Sequence, residues 1–246
     1  MIPLRDANPV RRTPVVTIAI IVACIAAFAY RLGVESNGGD AEVEAFFRQF
    51  GLVPAQLINA LDAGRFLGEE TLAVFTSMFL HADIYHIAGN MIFLWIFGNN
   101  IEDRLGRLPF LLFYLGGGVA AALAQVLIDP TSTAPMVGAS GAIAAVLGAY
   151  VVLYPRARIL ALVFLVFFYQ LIEVPAIIVL GLFFVLNLID GLNSLGQPPA
   201  QGGVAFFAHI GGFIAGVVVG LVVRARGAGG AGRDVGERSP LGPGVG

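Results

Sequence analysis

Apolar residues in this chain gather into long continuous runs rather than alternating with polar ones. Six of them, at about 14–31, 84–101, 108–128, 136–154, 173–191 and 204–223, approach the roughly 20 residues that carry a helix across a bilayer. The pattern predicts an all-α polytopic membrane protein with six transmembrane helices in one domain. A seventh stretch, 157–172, is apolar but short, and Tyr169, Gln170, Glu173 and Pro175 interrupt it. It reads as a buried or interfacial connection into the fifth helix.

Arginine placement decides between six spans and seven. With six spans and the N-terminus inside, the inner segments hold Arg5, Arg11, Arg12, Arg104, Arg107, Arg156, Arg158, Arg224, Arg226, Arg233 and Arg238. The outer segments hold Arg31, Arg48 and Arg65. The excess of basic residues inside is what insertion favours, and a seventh span would turn the last four outward. Both termini are therefore expected in the cytoplasm. Residues 1–13 form the inner N-terminus, 14–224 the membrane domain, and 225–246 a Gly-rich tail expected to be disordered. The first apolar run is long for a signal peptide and reads as an uncleaved span.

The long outer loop, 32–83, carries half of the acidic residues. Within it, Asp40 begins a short helix through Phe50 and Pro54 another through Ala63. Their apolar faces (Phe46, Phe47, Phe50; Leu57, Ile58, Leu61) suit either the outer membrane interface or a plain folded loop.

Composition agrees with the pattern. The chain is 58% apolar and 12% charged, with mean hydropathy +0.87. A soluble domain carries about twice that charge. Every basic residue is arginine, which with the high Gly and Ala content suggests a GC-rich bacterial genome, so a bacterial plasma membrane is the expected location. A net charge of −2 gives no reason to expect a nucleic-acid partner. The single cysteine, Cys24, lies in the first apolar run and reads as packing.

Against this background the polar residues in or beside the spans stand out. Such groups are costly in a bilayer and persist mainly where they face the bundle interior and have a role. His86 and Asn90 are one turn apart on one helix face. Ser140 lies near the start of the fourth span, and His209 a turn or two into the sixth. Under the six-span topology, helices two, four and six all run inward. At about 1.5 Å per residue, the four side chains then fall within roughly 10 Å of the outer helix ends. Gly138, Gly141, Ala145 and Gly148, with Gly212 and Gly216, let helices four and six approach closely.

The chemistry this permits is acyl transfer. A serine hydroxyl needs a base within hydrogen-bond reach, and His209 is the candidate. The oxyanion that forms needs aimed donors, available from Asn90, His86 and the Ser140 backbone N–H. Gly138 and Gly141 leave room for a substrate backbone. Asp190 and Asp129 are loop-end candidates at best for orienting His209, so the expectation is a Ser–His dyad, with no metal and no cofactor. His81, just before helix two, reads as structural.

These residues resemble the rhomboid family of intramembrane serine proteases. The resemblance covers about 72–224. It rests on Phe75-Thr76-Ser77-Met78-Phe79-Leu80-His81, His86-x-x-x-Asn90, Gly98 through Gly106, Gly138-Ala139-Ser140-Gly141, and Ala208-His209-Ile210-Gly211-Gly212 with Gly216. It implies Ser140 as nucleophile, His209 as general base and His86 with Asn90 in the oxyanion hole. It further implies transmembrane proteins as substrates, cleaved near their outer ends, and helix five, with Phe183 and Phe184, as a lateral gate. Two departures stand out. Leu72-Ala73 replaces a Trp-Arg pair of many members, and Ala144 replaces an aromatic that in some members stacks on the base.

Two other readings remain. A catalytically silent relative would bind transmembrane clients without cutting them, but typically lacks the serine or histidine. A transporter using His86 and His209 as a proton relay would carry mid-span acidic residues, whereas Glu102, Asp103 and Asp190 lie at span ends.

Overall fold

The computed structural model describes residues 2–6, 8–165, 168–194 and 205–231. In chain order the elements are β1 (Ile2–Asp6), α1 (Val15–Phe50), α2 (Pro54–Asp62), α3 (Glu69–Thr76), α4 (Ile84–Phe93), α5 (Asn99–Leu105), α6 (Arg107–Ile128), α7 (Ser140–Leu153), β2 (Arg158–Leu165), β3 (Phe168–Pro175), α8 (Ala176–Ser194) and α9 (Phe206–Ala231). Among the described residues, four helices are long and apolar enough to cross a membrane: α1, α6, α8 and α9. The apolar α7 is shorter, and α4 continues through a π turn at Leu94–Gly98 into α5. His86 and Asn90 precede that turn, so their one-turn spacing is intact.

The centre of the bundle is α7, whose residues Ala142 through Tyr150 are all buried. Glycine packs it against α9. A side chain on Gly212 would run into the carbonyl of Gly141, one on Gly216 into that of Ala145, and one on Gly148 into that of Phe213. The two backbones touch because nothing larger than hydrogen stands between them, which is how helices associate where lipid removes the hydrophobic drive. Outward faces are apolar instead: Val22, Ile25, Leu112, Ile178, Leu182 and Val218 are all exposed.

The expectation of an all-α chain is corrected by a three-stranded antiparallel sheet in the order β1-β2-β3. The connection at 157–172 is a hairpin, with Arg158 opposite Pro175 and Leu165 opposite Phe168. An apolar segment too short to form a span must still pair its backbone polar groups, and strand pairing does so. The N-terminal strand adds to the hairpin's edge, so residues 2–6 are not a free tail.

In the loop expected outside, α1 breaks at Gly39, which sits at φ 68°, and resumes through Phe50. The expected helices at Asp40–Phe50 and from Pro54 are present; α3 is an addition. Phe46 and Leu57 are buried, and Ile58 and Leu61 pack against a small second core of Leu52, Leu57, Val74, Met78, Ala122 and Val126. Much of the loop's apolar surface is thus turned into the protein, as in a folded loop. At the other end, α9 runs through Ala231, past the expected start of the tail at 225; residues 232–246 lie outside those described.

Candidate active site

Three helix N-termini meet at one cavity of about 1040 Å³. Asp83 starts α4, its Oδ1 accepting from the backbone N–H of Tyr85 at 2.8 Å and of His86 at 2.9 Å. This N-cap fixes the turn that carries His86, and Asn90 follows one turn deeper. Ser140 is the first residue of α7. The chain reaches it through a lead-in that is stitched down. Leu52 and Met136 exchange backbone hydrogen bonds, and the Gly138 N–H donates to the Ser77 carbonyl at 2.9 Å. Thr76 donates its hydroxyl to the Phe50 carbonyl at 2.6 Å, so the Phe-Thr stretch ties α3 to the end of α1 even with Leu72-Ala73 preceding it.

The structure brings Ser140, His209, His86 and Asn90 together on that cavity's wall. Ser140 Oγ and His209 Nε2 are 2.7 Å apart, within hydrogen-bond range. Gly138 has φ 129°, and a Cβ there would sit 2.8 Å from Nε2 of His86. Glycine at 138 therefore makes room for the histidine ring and permits a backbone conformation that L side chains avoid. Of the two roles expected of Gly141, its surroundings show helix packing: a Cβ there would meet that of Ala121 at 2.7 Å.

Asn90 is buried, and its side-chain Nδ2 has no hydrogen-bond partner among the described residues. An unpaired buried amide donor costs about 1–3 kcal/mol, so its presence on the wall of a cavity asks for a function. His81 is buried outside the cavity's lining, its ring edge-on to His86 with centroids 5.1 Å apart. Burial, with His86 adding, pushes its pKa down to about 4, so it is neutral at physiological pH.

On α8, sequence reasoning missed Asn187 altogether and named Phe183 only at the gate, without its contact to the base. Asn187 Oδ1 lies 2.6 Å from Nδ1 of His209. The ring of Phe183, one turn earlier, has its centroid 5.9 Å from that of the imidazole. Asp190 is exposed and Asp129 contacts Thr131; neither reaches His209. The buried Ala144 faces the core, and the aromatic contact with the base comes from Phe183 instead. A lone asparagine in the apolar run Val185-Leu186-Asn187-Leu188-Ile189 was the available signal. Among the described residues, no cluster of His, Cys, Asp and Glu has the arrangement of a metal site.

Comparison with known proteins gives the family. The Rhomboid domain profile matches residues 68–226, well over half the chain. Rhomboid protease GluP of Bacillus subtilis is 34% identical over 189 residues, covering 76% of this chain and 32% of that protein. Rhomboid protein 1, mitochondrial, of Saccharomyces cerevisiae is 30% identical over 156 residues, covering 62% of this chain and 42% of that protein. The human presenilin-associated rhomboid-like protein, mitochondrial, is 37% identical over 94 residues, covering 37% of this chain and 24% of that protein. The chain spans less than half the length of each of these relatives. With the profile match covering most of the bundle and every site-bearing segment, this multi-pass membrane protein belongs to the rhomboid family.

Proposed function

We propose that the protein is an intramembrane serine endopeptidase that cuts other membrane proteins in or near their transmembrane segments. The observation that carries the reading is the 2.7 Å approach of Ser140 Oγ to His209 Nε2 on the wall of a cavity large enough for an extended peptide. Ser140 attacks the scissile carbonyl as its proton passes to Nε2 of His209. The oxyanion is met by Nδ2 of Asn90, a ring N–H of His86 and the backbone N–H of Ser140. That backbone group is one of the unpaired donors at the start of α7, where the helix dipole also favours negative charge. As the C–N bond breaks, His209 returns the proton to the leaving amine. Water, deprotonated by His209, then hydrolyses the acyl-enzyme.

The topology that goes with this reading has six spans, α7 and the passage from α4 to α5 completing the four long helices, with both termini inside. The site then opens outward. A transmembrane substrate approaches sideways between α4 and α8, and its outer end unwinds into the cavity. The arginine-only, Gly- and Ala-rich composition favours a bacterial plasma membrane.

The test is cleavage of a tagged single-span reporter, with small residues near its outer end, in membranes holding wild type, Ser140→Ala or His209→Ala at equal expression. Cleavage by wild type alone supports the reading. Equal cleavage by all three removes Ser140 and His209 from the mechanism. If none cleaves, labelling by a fluorophosphonate decides: a wild-type-only signal keeps the hydrolase and rejects the reporter, and no signal leaves a client-binding protein.

A further inference from the structure

Resting on the dyad reading above, we infer that Asn187 is the positioning residue of the site, fixing the tautomer and ring plane of His209 from α8. The hydrogen-bond polarity leaves one consistent assignment. The Phe183 carbonyl can only accept, and the Asn187 Nδ2 lies 2.9 Å from it, so the amide nitrogen points there and donates. Asn187 Oδ1 is thereby turned to His209 and can only accept, at 2.6 Å, so Nδ1 of the imidazole carries the proton. Nε2 is left with its lone pair facing Ser140, whose hydroxyl donates across 2.7 Å. The chain of donors runs from the serine to a backbone carbonyl of α8, and each link forces the next. A histidine base needs this tautomer, and enzymes on unrelated folds hold it with Asp or Asn at the same nitrogen.

The second contact comes from the same helix. Phe183 lies beside the imidazole one turn before Asn187, its ring tilted 40° to it with centroids 5.9 Å apart, so α8 supplies both a hydrogen bond and an aromatic contact. Among the described residues, the bond to His209 is the one side-chain hydrogen bond that α8 makes to another helix. The base is therefore oriented by the wall of the cavity that a substrate passes, and it is aligned only while α8 is seated. During acylation the serine proton moves to Nε2 and then to the leaving amine. The Nδ1 proton stays where it is, and Asn187 takes no proton at any stage. Being neutral, Asn187 orients the imidazole without compensating its charge, whereas a carboxylate would do both.

The experiment uses the full chain in proteoliposomes and reads reporter cleavage, fluorophosphonate labelling and thermal unfolding. Asn187→Ala is expected to lower kcat and the labelling rate about 10- to 100-fold with KM within about twofold. Asn187→Asp is expected to stay within about tenfold of wild type, with the acidic limb of its pH–rate profile moved up by about one pH unit, because a carboxylate stabilises the protonated imidazole. The cavity's other titratable groups, Glu44, Arg48, Asp83, Tyr85 and His86, are common to both proteins, so the difference reports on position 187. Leu186→Ala, exposed on the same helix, should match wild type. Wild-type kcat in Asn187→Ala, with Ser140→Ala and His209→Ala inactive, overturns this inference and leaves the dyad standing. An unmoved limb in Asn187→Asp overturns it too, even where Asn187→Ala fails to fold. Cleavage that survives Ser140→Ala instead overturns the functional reading on which the inference rests.

Discussion

The two ends of the bundle treat buried polar groups in opposite ways. Ser140 and Tyr150 lie on the same helix, about 15 Å apart at its ordinary rise. Around Tyr150 the carboxylates of Asp6 and Glu102 are partnered, although the Tyr114 hydroxyl on α6 is not among the described residues. Asp6 Oδ2 accepts from the Tyr150 hydroxyl at 2.7 Å, from Asn100 at 2.8 Å and from Asn8 at 3.1 Å. Close by, Glu102 accepts from the backbone N–H of Val16 and Thr17 and from the Thr17 hydroxyl, all within 2.9 Å. It thereby caps the start of α1 from α5. Around Ser140 the account is left open at one group: Asn90 keeps an unpaired donor, beside a serine and a histidine that are hydrogen-bonded on the cavity wall. Satisfied groups fix how elements dock, while unsatisfied ones are held ready for a ligand that supplies the missing partner. Stability and activity should therefore separate by end.

The largest effect expected is on activity alone. Ser140→Ala should lower reporter cleavage at least about 10³-fold, and the unfolding temperature in detergent should stay near wild type. Loss of both together would mean that Ser140 also holds the fold. Next comes the oxyanion donor. Asn90→Ala should reduce kcat about 10²–10³-fold, and because it deletes an unpaired buried donor it should leave stability unchanged or slightly raised. A matching fall in stability would show that Nδ2 is satisfied within the fold.

At the other end the effects reverse. Glu102→Ala strands two backbone donors at the start of α1 and should cost about 2–3 kcal/mol, measured by reversible unfolding in mixed micelles. The specific activity of the folded fraction should be near wild type. The smallest change is Asp6→Asn. Burial raises the Asp6 pKa above its ordinary 3.8, more than its hydrogen bonds lower it. A carboxyl whose folded pKa is raised contributes most below its unfolded value, and loses that contribution as pH rises through the folded one. Wild type should therefore lose stability relative to Asp6→Asn across that window, with the two curves parallel at higher pH. A curve in which wild type gains with rising pH would mean that its hydrogen bonds outweigh burial.

The contrast between the ends also separates what could be read early from what could not. Ser140, His209, His86 and Asn90 were legible because a polar residue in an apolar run is itself a signal, and four at compatible depths reinforce one another. Asn187 gave the same kind of signal, but the polar group one turn from it on its own helix, Asp190, is exposed and takes no part in the site. Nothing along the chain said that α8 would turn that face to α9. Glu102 was legible as a charge at a span end; Asp6, in the segment before the first span, was not singled out. Apart from Asn8 beside Asp6, their partners lie 85 or more residues away in the sequence and could not be read from it.

The sequence by itself determined the membrane class, the positions of the apolar helices and the glycine seams of α7 and α9. These follow from local properties: run length, side-chain size and the cost of placing charge in lipid. The tertiary structure decided the rest. It folded 158–175 into a hairpin that takes up the N-terminal strand, because backbone groups there had to find partners and the nearest were other strands. It also chose Asn187 and Phe183 to hold His209, because a hydrogen bond between two helices depends on their rotation and separation, which no run of residues on either one specifies.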